Sequence, residues 1–330
     1  MKRFVKIVIT FIAFPIVLLA ILYLITDPFK TLNPFSLQYF DTRNRDYLSS
    51  ELFLANYPQQ QYNSFIFGSS RACGINSYHW KHYLPKNSNQ FVFQSWAETL
   101  TGIEQKIDYI DSHNIPINNA LILFDIPGSF AKRQEPIEAI KMKDYHISGK
   151  SFFHYQLFSF YNFAQKPSIW IQTIKDRNIT HREIPFDTIS NDWSKLCKTL
   201  SYEQPPEKDS LKSCSRISKE TFLQSIKGKT EVETSEEVIN ATMKHKLMHI
   251  KQLLDKNSTD YYIIITPAFC YSHSQINSSD LSILQKIFGK DRVFNYSGKN
   301  NLTSDYNNYS DPNHFGLFVG WHIIEDIYNK

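Results

Sequence analysis

Several common signals are missing from this chain of 330 residues, and each gap removes a class of function. There is no lysine-rich block and no interleaving of basic with aromatic residues, and the formal net charge of +4 is spread along the length. A phosphate backbone is held by clustered cations, so nucleic acid is not an expected partner. Only four cysteines occur, Cys73, Cys197, Cys214 and Cys270, with no CxxC pair and no His/Cys cluster at ligand spacing. Neither a metal centre nor an organic cofactor is implied. Cys197 and Cys214 are near enough in sequence for a local disulfide in an oxidising compartment, and read equally well as idle thiols. No internal repeat is visible.

Apolar residues make up 42% of the chain and aromatics 15%, which is ample for a folded core of one large domain or two ordinary ones. The strongest bulk signal is at the N-terminus. Ile7 to Ile25 is an uncharged apolar run of about 19 residues, preceded by Lys2, Arg3 and Lys6 and followed by Asp27. That length spans a bilayer core as a helix, and the basic flank predicts a cytoplasmic N-terminus. Pro15, in mid-run, is tolerated in membrane helices. A cleaved signal peptide is the competing reading, but the run is long for one and "LITDPF" offers no small-residue cleavage site. Residues 1–30 therefore read as a membrane anchor, and 31–330 as a domain in the periplasm or outside the cell.

Beyond the anchor, short apolar runs closed by turn residues predict strands. They are "SFIFG" at 64–68, "QFVFQSW" at 90–96, "NALILFDIPG" at 119–128, "DYYIIITP" at 260–267 and "DRVFNYS" at 291–297. Apolar residues at helical spacing predict helices over 98–113, 235–256, 280–288 and 313–327. Strands alternating with helices predict an α/β fold, a three-layer α/β/α, flavodoxin-like parallel sheet of about five strands. Residues 129–234 lack that order and read as a long insertion, a helical lid or substrate-facing subdomain. Ligands gather beyond the carboxyl ends of such strands, where "GSSR" follows the first one.

A serine hydroxyl becomes a nucleophile when a histidine, itself held by a carboxylate, takes its proton. "SDPNHFG" near the C-terminus supplies Asp311 and His314 at the start of the last predicted helix, where the Asp can reach the Nδ1 proton and leave Nε2 for the serine. Taken alone, Asp311 followed by Pro312 reads as an ordinary helix cap. Arg71 can meet an anionic substrate group or simply Asp125, and Cys73 reads as a small buried residue. His245 and His249 share a helical face but lack a third metal ligand.

A "GxS" turn after the first strand, joined to a C-terminal "DxxH", resembles the SGNH (GDSL-like) hydrolase superfamily. The matching positions are Gly68, Ser69 and Ser70, then Asp311 and His314. The family's nucleophile is the second residue after the glycine, so the resemblance assigns that role to Ser70 and puts Ser69 where the family usually has Asp. The anchor, the "GSSR" block and the long insertion look like membrane-tethered relatives that handle acyl groups on envelope polymers. The resemblance implies an acyl-ester hydrolase or O-acyltransferase acting on an acylated envelope glycan or a small acyl ester, with a membrane acyltransferase as a partner. The family's oxyanion donors are the nucleophile's amide, a glycine after the second strand and an asparagine after the third. Here Ser95 and Gly102 are the nearest substitutes for the glycine, and Asp125 stands where a neutral donor would be wanted. This departure fits a slow transferase, donors borrowed from the insertion, or a member that only binds.

Overall fold

In a computed structural model the described residues are 1–29, 31–32, 45–131, 143–176, 186–192 and 218–329. Cys197 and Cys214, and with them the disulfide question, lie outside these residues, as does much of the insertion at 129–234. In chain order the helices and strands begin with α1 (Lys2–Thr26), α2 (Arg45–Gln60), β1 (Ser64–Gly68), α3 (Ser77–Lys81) and β2 (Gln90–Gln94). There follow α4 (Leu100–Ser112), β3 (Asn119–Phe124), α5 (Tyr145–Ser148), α6 (Phe152–Ala164), α7 (Pro167–Asp176) and α8 (Lys219–Ser225). The remainder is α9 (Ala241–Lys256), β4 (Asp260–Ile265), α10 (Ser278–Phe288), β5 (Val293–Asn295), β6 (Tyr309–Asp311), β7 (His314–Phe315) and α11 (Leu317–Tyr328). Two compact units result: Met1–Glu51 with Gln134–Ile184, and Leu52–Arg133 with Pro185–Lys330.

The larger unit is α/β, built on the expected parallel five-stranded sheet, in the order β2-β1-β3-β4-β5. Its register aligns Ser64 with Gln90 on one side and with Asn119 on the other, so β1 is an inner strand and its carboxyl end opens between two neighbours. All residues of β1, β2 and β3 are buried, which explains why they read as unbroken apolar runs and not as alternating ones. Alternate residues serve two clusters. Ile66, Val92, Leu121 and Ile264 pack with Val319, Ile323 and Ile327 of α11 and with Trp80 of α3. Phe65, Phe91 and Phe93 instead pack their rings around Phe53 at 5.2–6.0 Å between centroids.

Edge strand β2 is covered by a segment that carries no periodic signal. The Val92 amide donates to the Ser190 carbonyl at 2.9 Å, and the Asn191 side-chain amide donates to the Val92 carbonyl at 2.6 Å. Asp192 accepts from the Ser77 amide at 2.7 Å, and Tyr62 donates to the Ile189 carbonyl. An open sheet edge is thereby closed from within the chain.

The turn after β2 holds a fully buried ion pair. Lys106 Nζ lies 2.6 Å from Glu98 Oε2, and neither side chain is exposed. Glu98 also accepts from Ser95 Oγ at 2.6 Å and from the Thr99 amide at 2.9 Å. Such a pair stands only while both members are present, because one alone is an uncompensated buried charge.

In the smaller unit, α1 is long and apolar enough to cross a membrane. It carries Pro15 and ends at Asp27 in the left-handed conformation, whose carboxylate accepts from the Thr31 and Leu32 amides. Its last turns pack against α6 and α7, with Tyr23 set between Phe160 and Phe163.

Replacing Lys106 by Met is expected to cost the folded chain about 3–5 kcal/mol, and adding Glu98→Gln to return part of that loss. Urea unfolding of the two variants beside the parent measures both steps.

Candidate active site

Three side chains from the two ends of the larger unit form one hydrogen-bonded chain. Ser70 Oγ lies 2.8 Å from His314 Nε2, and His314 Nδ1 lies 2.7 Å from Asp311 Oδ2. With the proton on Nδ1 directed at Asp311, Nε2 is an acceptor facing the serine hydroxyl. The imidazole and the carboxylate are 37% and 28% exposed, so the chain opens to solvent and a substrate can reach it.

The local structure behind Asp311 and His314 differs from the expected helix start. Asp311 closes β6 and His314 opens β7, a short antiparallel hairpin, and α11 begins only at Leu317. Asp311 caps the turn of this hairpin and not the helix: its Oδ1 accepts from the Asn313 amide at 2.7 Å and the His314 amide at 3.1 Å. An aspartate bonding the backbone two residues on is a common turn former, so one side chain both shapes the turn and orients the ring. Burial works to raise the Asp311 carboxyl, but the His314 imidazole and the two amides outweigh it and hold it below its ordinary value.

Ser70 sits where β1 ends and a short 3-10 turn, Ser70–Gly74, begins. The two adjacent serines divide their work. Ser69 Oγ accepts from the Arg71 amide at 3.1 Å and donates to Asp125 Oδ2 at 2.5 Å, whereas among the described residues Ser70 Oγ meets His314 alone. Asp125 Oδ1 accepts from Thr266 Oγ1 at 2.8 Å, Thr266 Oγ1 accepts from Arg71 Nη1 at 3.0 Å, and Arg71 lies 3.7 Å from Asp125. The Asp125 amide donates to Ser129 Oγ, closing the turn that contains the cis Ile126–Pro127 bond.

This arrangement corrects two expectations. Asp125 is not a bare charge facing a developing oxyanion, since both its oxygens are engaged by Ser69, Thr266 and Arg71. Of the two partners open to Arg71, the structure shows Asp125: the side chain is 7% exposed and its Nη1 joins the same cluster. The amides of Ser95 and Gly102 are both spoken for: Ser95 donates to the Gly68 carbonyl at 3.2 Å, and Gly102 donates to Thr99 Oγ1 at 3.3 Å as part of the α4 cap. The Ser70 amide has no acceptor among the described residues. Cys73 is half-buried, with Sγ 3.1 Å from Gln94 Oε1, and His249 pairs with Asp108 at 2.7 Å.

Two residues at the site carried no motif. Thr266 directly follows β4, so the carboxyl-end rule alone could have found it. His273 lies on the next loop, with Nδ1 2.9 Å from Ser272 Oγ. Burial first, and then the Arg71 charge, push its imidazole down to about 4, although a hydrogen bond with Asn313 and the Asp125 charge partly oppose them. His273 is therefore neutral at physiological pH.

Compared with models of known protein families the chain gives no match, and compared with curated proteins it gives none either.

The depressed His273 imidazole fixes the sign of one pH effect. Between its ordinary value of 6.5 and about 4, the unfolded chain binds a proton that the folded site refuses. Stability is therefore lost as pH falls through that window, not as it rises. Thermal melts of the full chain in detergent should show a larger drop in Tm from pH 7 to pH 4.5 for the parent than for His273→Gln.

Proposed function

We propose that the protein is a membrane-anchored, serine-dependent acyl-ester hydrolase or O-acyltransferase of the SGNH type, acting on an acylated cell-envelope glycan or a related ester. The observation that carries this reading is the Ser70–His314–Asp311 chain at 2.8 and 2.7 Å, drawn from segments at opposite ends of the sheet's sequence. The strand order β2-β1-β3-β4-β5 supports a three-layer, flavodoxin-like arrangement, in which the carboxyl end of β1 is a natural ligand position. Lys2, Arg3 and Lys6 ahead of α1 support a cytoplasmic N-terminus, with the larger unit on the outer side.

In this mechanism His314 Nε2 takes the Ser70 proton while Oγ attacks the ester carbonyl. Asp311 holds the Nδ1 proton and stabilises the imidazolium that forms, and the Ser70 amide donates to the carbonyl oxygen as it gains charge. Collapse breaks the bond to the alcohol, which leaves with the proton from Nε2. Water or an acceptor hydroxyl then gives its proton to Nε2 and attacks the acyl-serine, releasing the acid or a new ester and restoring Ser70. A transferase partner in the membrane would supply or receive the acyl group.

A second reading, an accessory protein that binds glycan or a membrane partner without turnover, is favoured by the engaged amides of Ser95 and Gly102. Losing one oxyanion donor typically costs ~10²–10³ in rate.

Full-length protein in detergent should react with a fluorophosphonate probe and cleave an activated acetyl ester. Ser70→Ala or His314→Ala should lower turnover by about 10³-fold or more. Ser69→Ala, which removes a hydrogen bond from the Asp125 cluster, should cost no more than about tenfold and keep the label. A parent protein that neither labels nor turns over supports the accessory.

A further inference from the structure

We infer that α6 lies in the lipid–water boundary of the membrane that α1 crosses, with the stripe Phe153, Leu157 and Tyr161 set among headgroups and upper acyl chains. The inference rests on the proposed reading of α1 as a membrane-spanning helix and adds a second contact with the same bilayer. These three residues recur at every fourth position and are 75%, 57% and 49% exposed. Elsewhere in the same unit Phe152 is 43% exposed, and Ile171 of α7 is 56% exposed. Single exposed apolar residues are ordinary, but a row of large ones along one helix face needs a cover.

Continuity with α1 identifies that cover. Away from the face that carries Leu19, Leu22 and Tyr23, apolar side chains of α1 stay exposed to its last turn, with Phe14 at 62%, Leu24 at 60% and Ile25 at 63%. A helix of 25 residues is roughly 37 Å long, against about 30 Å of hydrocarbon, so its final turns emerge near the headgroups. That is where α6 touches it. Tyr23 lies 5.6 Å from Phe160 and 5.5 Å from Phe163 between ring centroids, and its hydroxyl donates to Gln156 Oε1 at 2.8 Å.

The helical wheel aligns the two surfaces. At roughly 100° per residue, positions 156, 160 and 163 form the row facing α1, and positions 153, 157 and 161 form the next row round. Tyr155, Ser159 and Asn162 form a third row, buried within the unit. The exposed stripe therefore borders the α1 contact and continues its apolar surface sideways. Aromatics are favoured at this depth, and a helix with one apolar face and a polar or protein-bound remainder lies in the plane of the interface. Lys150 and Lys166 flank α6 in sequence and suit anionic headgroups.

Tryptophan substitutions in the full-length chain test this in vesicles of phosphatidylcholine and phosphatidylglycerol containing lipids brominated at shallow or deep acyl positions. Ile12→Trp reports the anchor, Leu157→Trp the stripe, and Met248→Trp, on α9, serves as an exposed control. The inference expects shallow bromines to remove roughly half of the fluorescence added at position 157 and little at 248. Deep bromines should quench position 12. If position 12 is quenched while 157 responds only to aqueous acrylamide, the stripe stands in water and the inference is overturned, with the anchor intact. If 157 is shielded from lipid and acrylamide alike, the face packs on protein, for example a second copy, and the inference is overturned. If position 12 also escapes lipid, the anchor reading itself has failed.

Discussion

The candidate site depends on two backbones that touch. Ser70 and His314 are 244 residues apart in sequence, and what brings them within hydrogen-bond reach is the seating of α11 on the Ser70–Gly74 turn. A methyl group placed on Gly320 would lie 1.8 Å from the Gly74 carbonyl oxygen, and one on Gly74 would lie 2.4 Å from the Phe315 ring. No side chain fits at either point. The approach also fixes the hairpin that carries His314, because Phe315 sits beneath Gly74 and the Gly316 amide donates to the Asn308 carbonyl at 2.8 Å. The serine turn and the histidine hairpin are thus located by one interface, and neither needs a long flexible loop to find the other.

Much of this was legible in the sequence, for reasons that differ along the chain. The strands were readable because a parallel strand buried on both faces must be a short unbroken apolar run, as "FIF" and "LILF" are. Ser70 was readable because it follows such a run, and Asp311 and His314 because "DPNH" stands just ahead of the apolar period of the last helix. The hairpin at β6–β7 was not, since a strand of two residues carries no period and the aspartate that caps its turn has the residue type of a helix cap. The state of the Ser95 and Gly102 amides was equally hidden. Whether a backbone N–H is available is decided by strand register and by which hydroxyl caps the neighbouring helix. Residues 186–192 were unreadable for a third reason: they cover the β2 edge with backbone and short polar side chains, which leave no hydrophobic pattern.

The carboxylate at Asp125 organises the floor of the site. Side-chain hydroxyls from two strand ends, Ser69 and Thr266, both donate to it, and the Arg71 guanidinium supplies the charge that offsets it while bonding Thr266. Both carboxylate oxygens of Asp125 and the Ser69 and Thr266 hydroxyls have partners, which is the condition for keeping a charge in a largely closed place. The cluster thus ties the ends of β1, β3 and β4 together, and its arginine helps to keep His273 neutral on the facing loop.

That network also explains why two adjacent serines are not interchangeable. Ser69 Oγ spends its proton on Asp125 and receives the Arg71 amide, so its hydroxyl is fixed from both sides and turned away from the imidazole. Ser70, one residue on, opens the 3-10 turn and presents its hydroxyl to His314. A nucleophile must have its proton directed at a base and its lone pairs clear for attack. On the proposed reading Ser70 meets both conditions and its neighbour Ser69 does not, because the Ser69 hydroxyl is held by the Asp125 carboxylate.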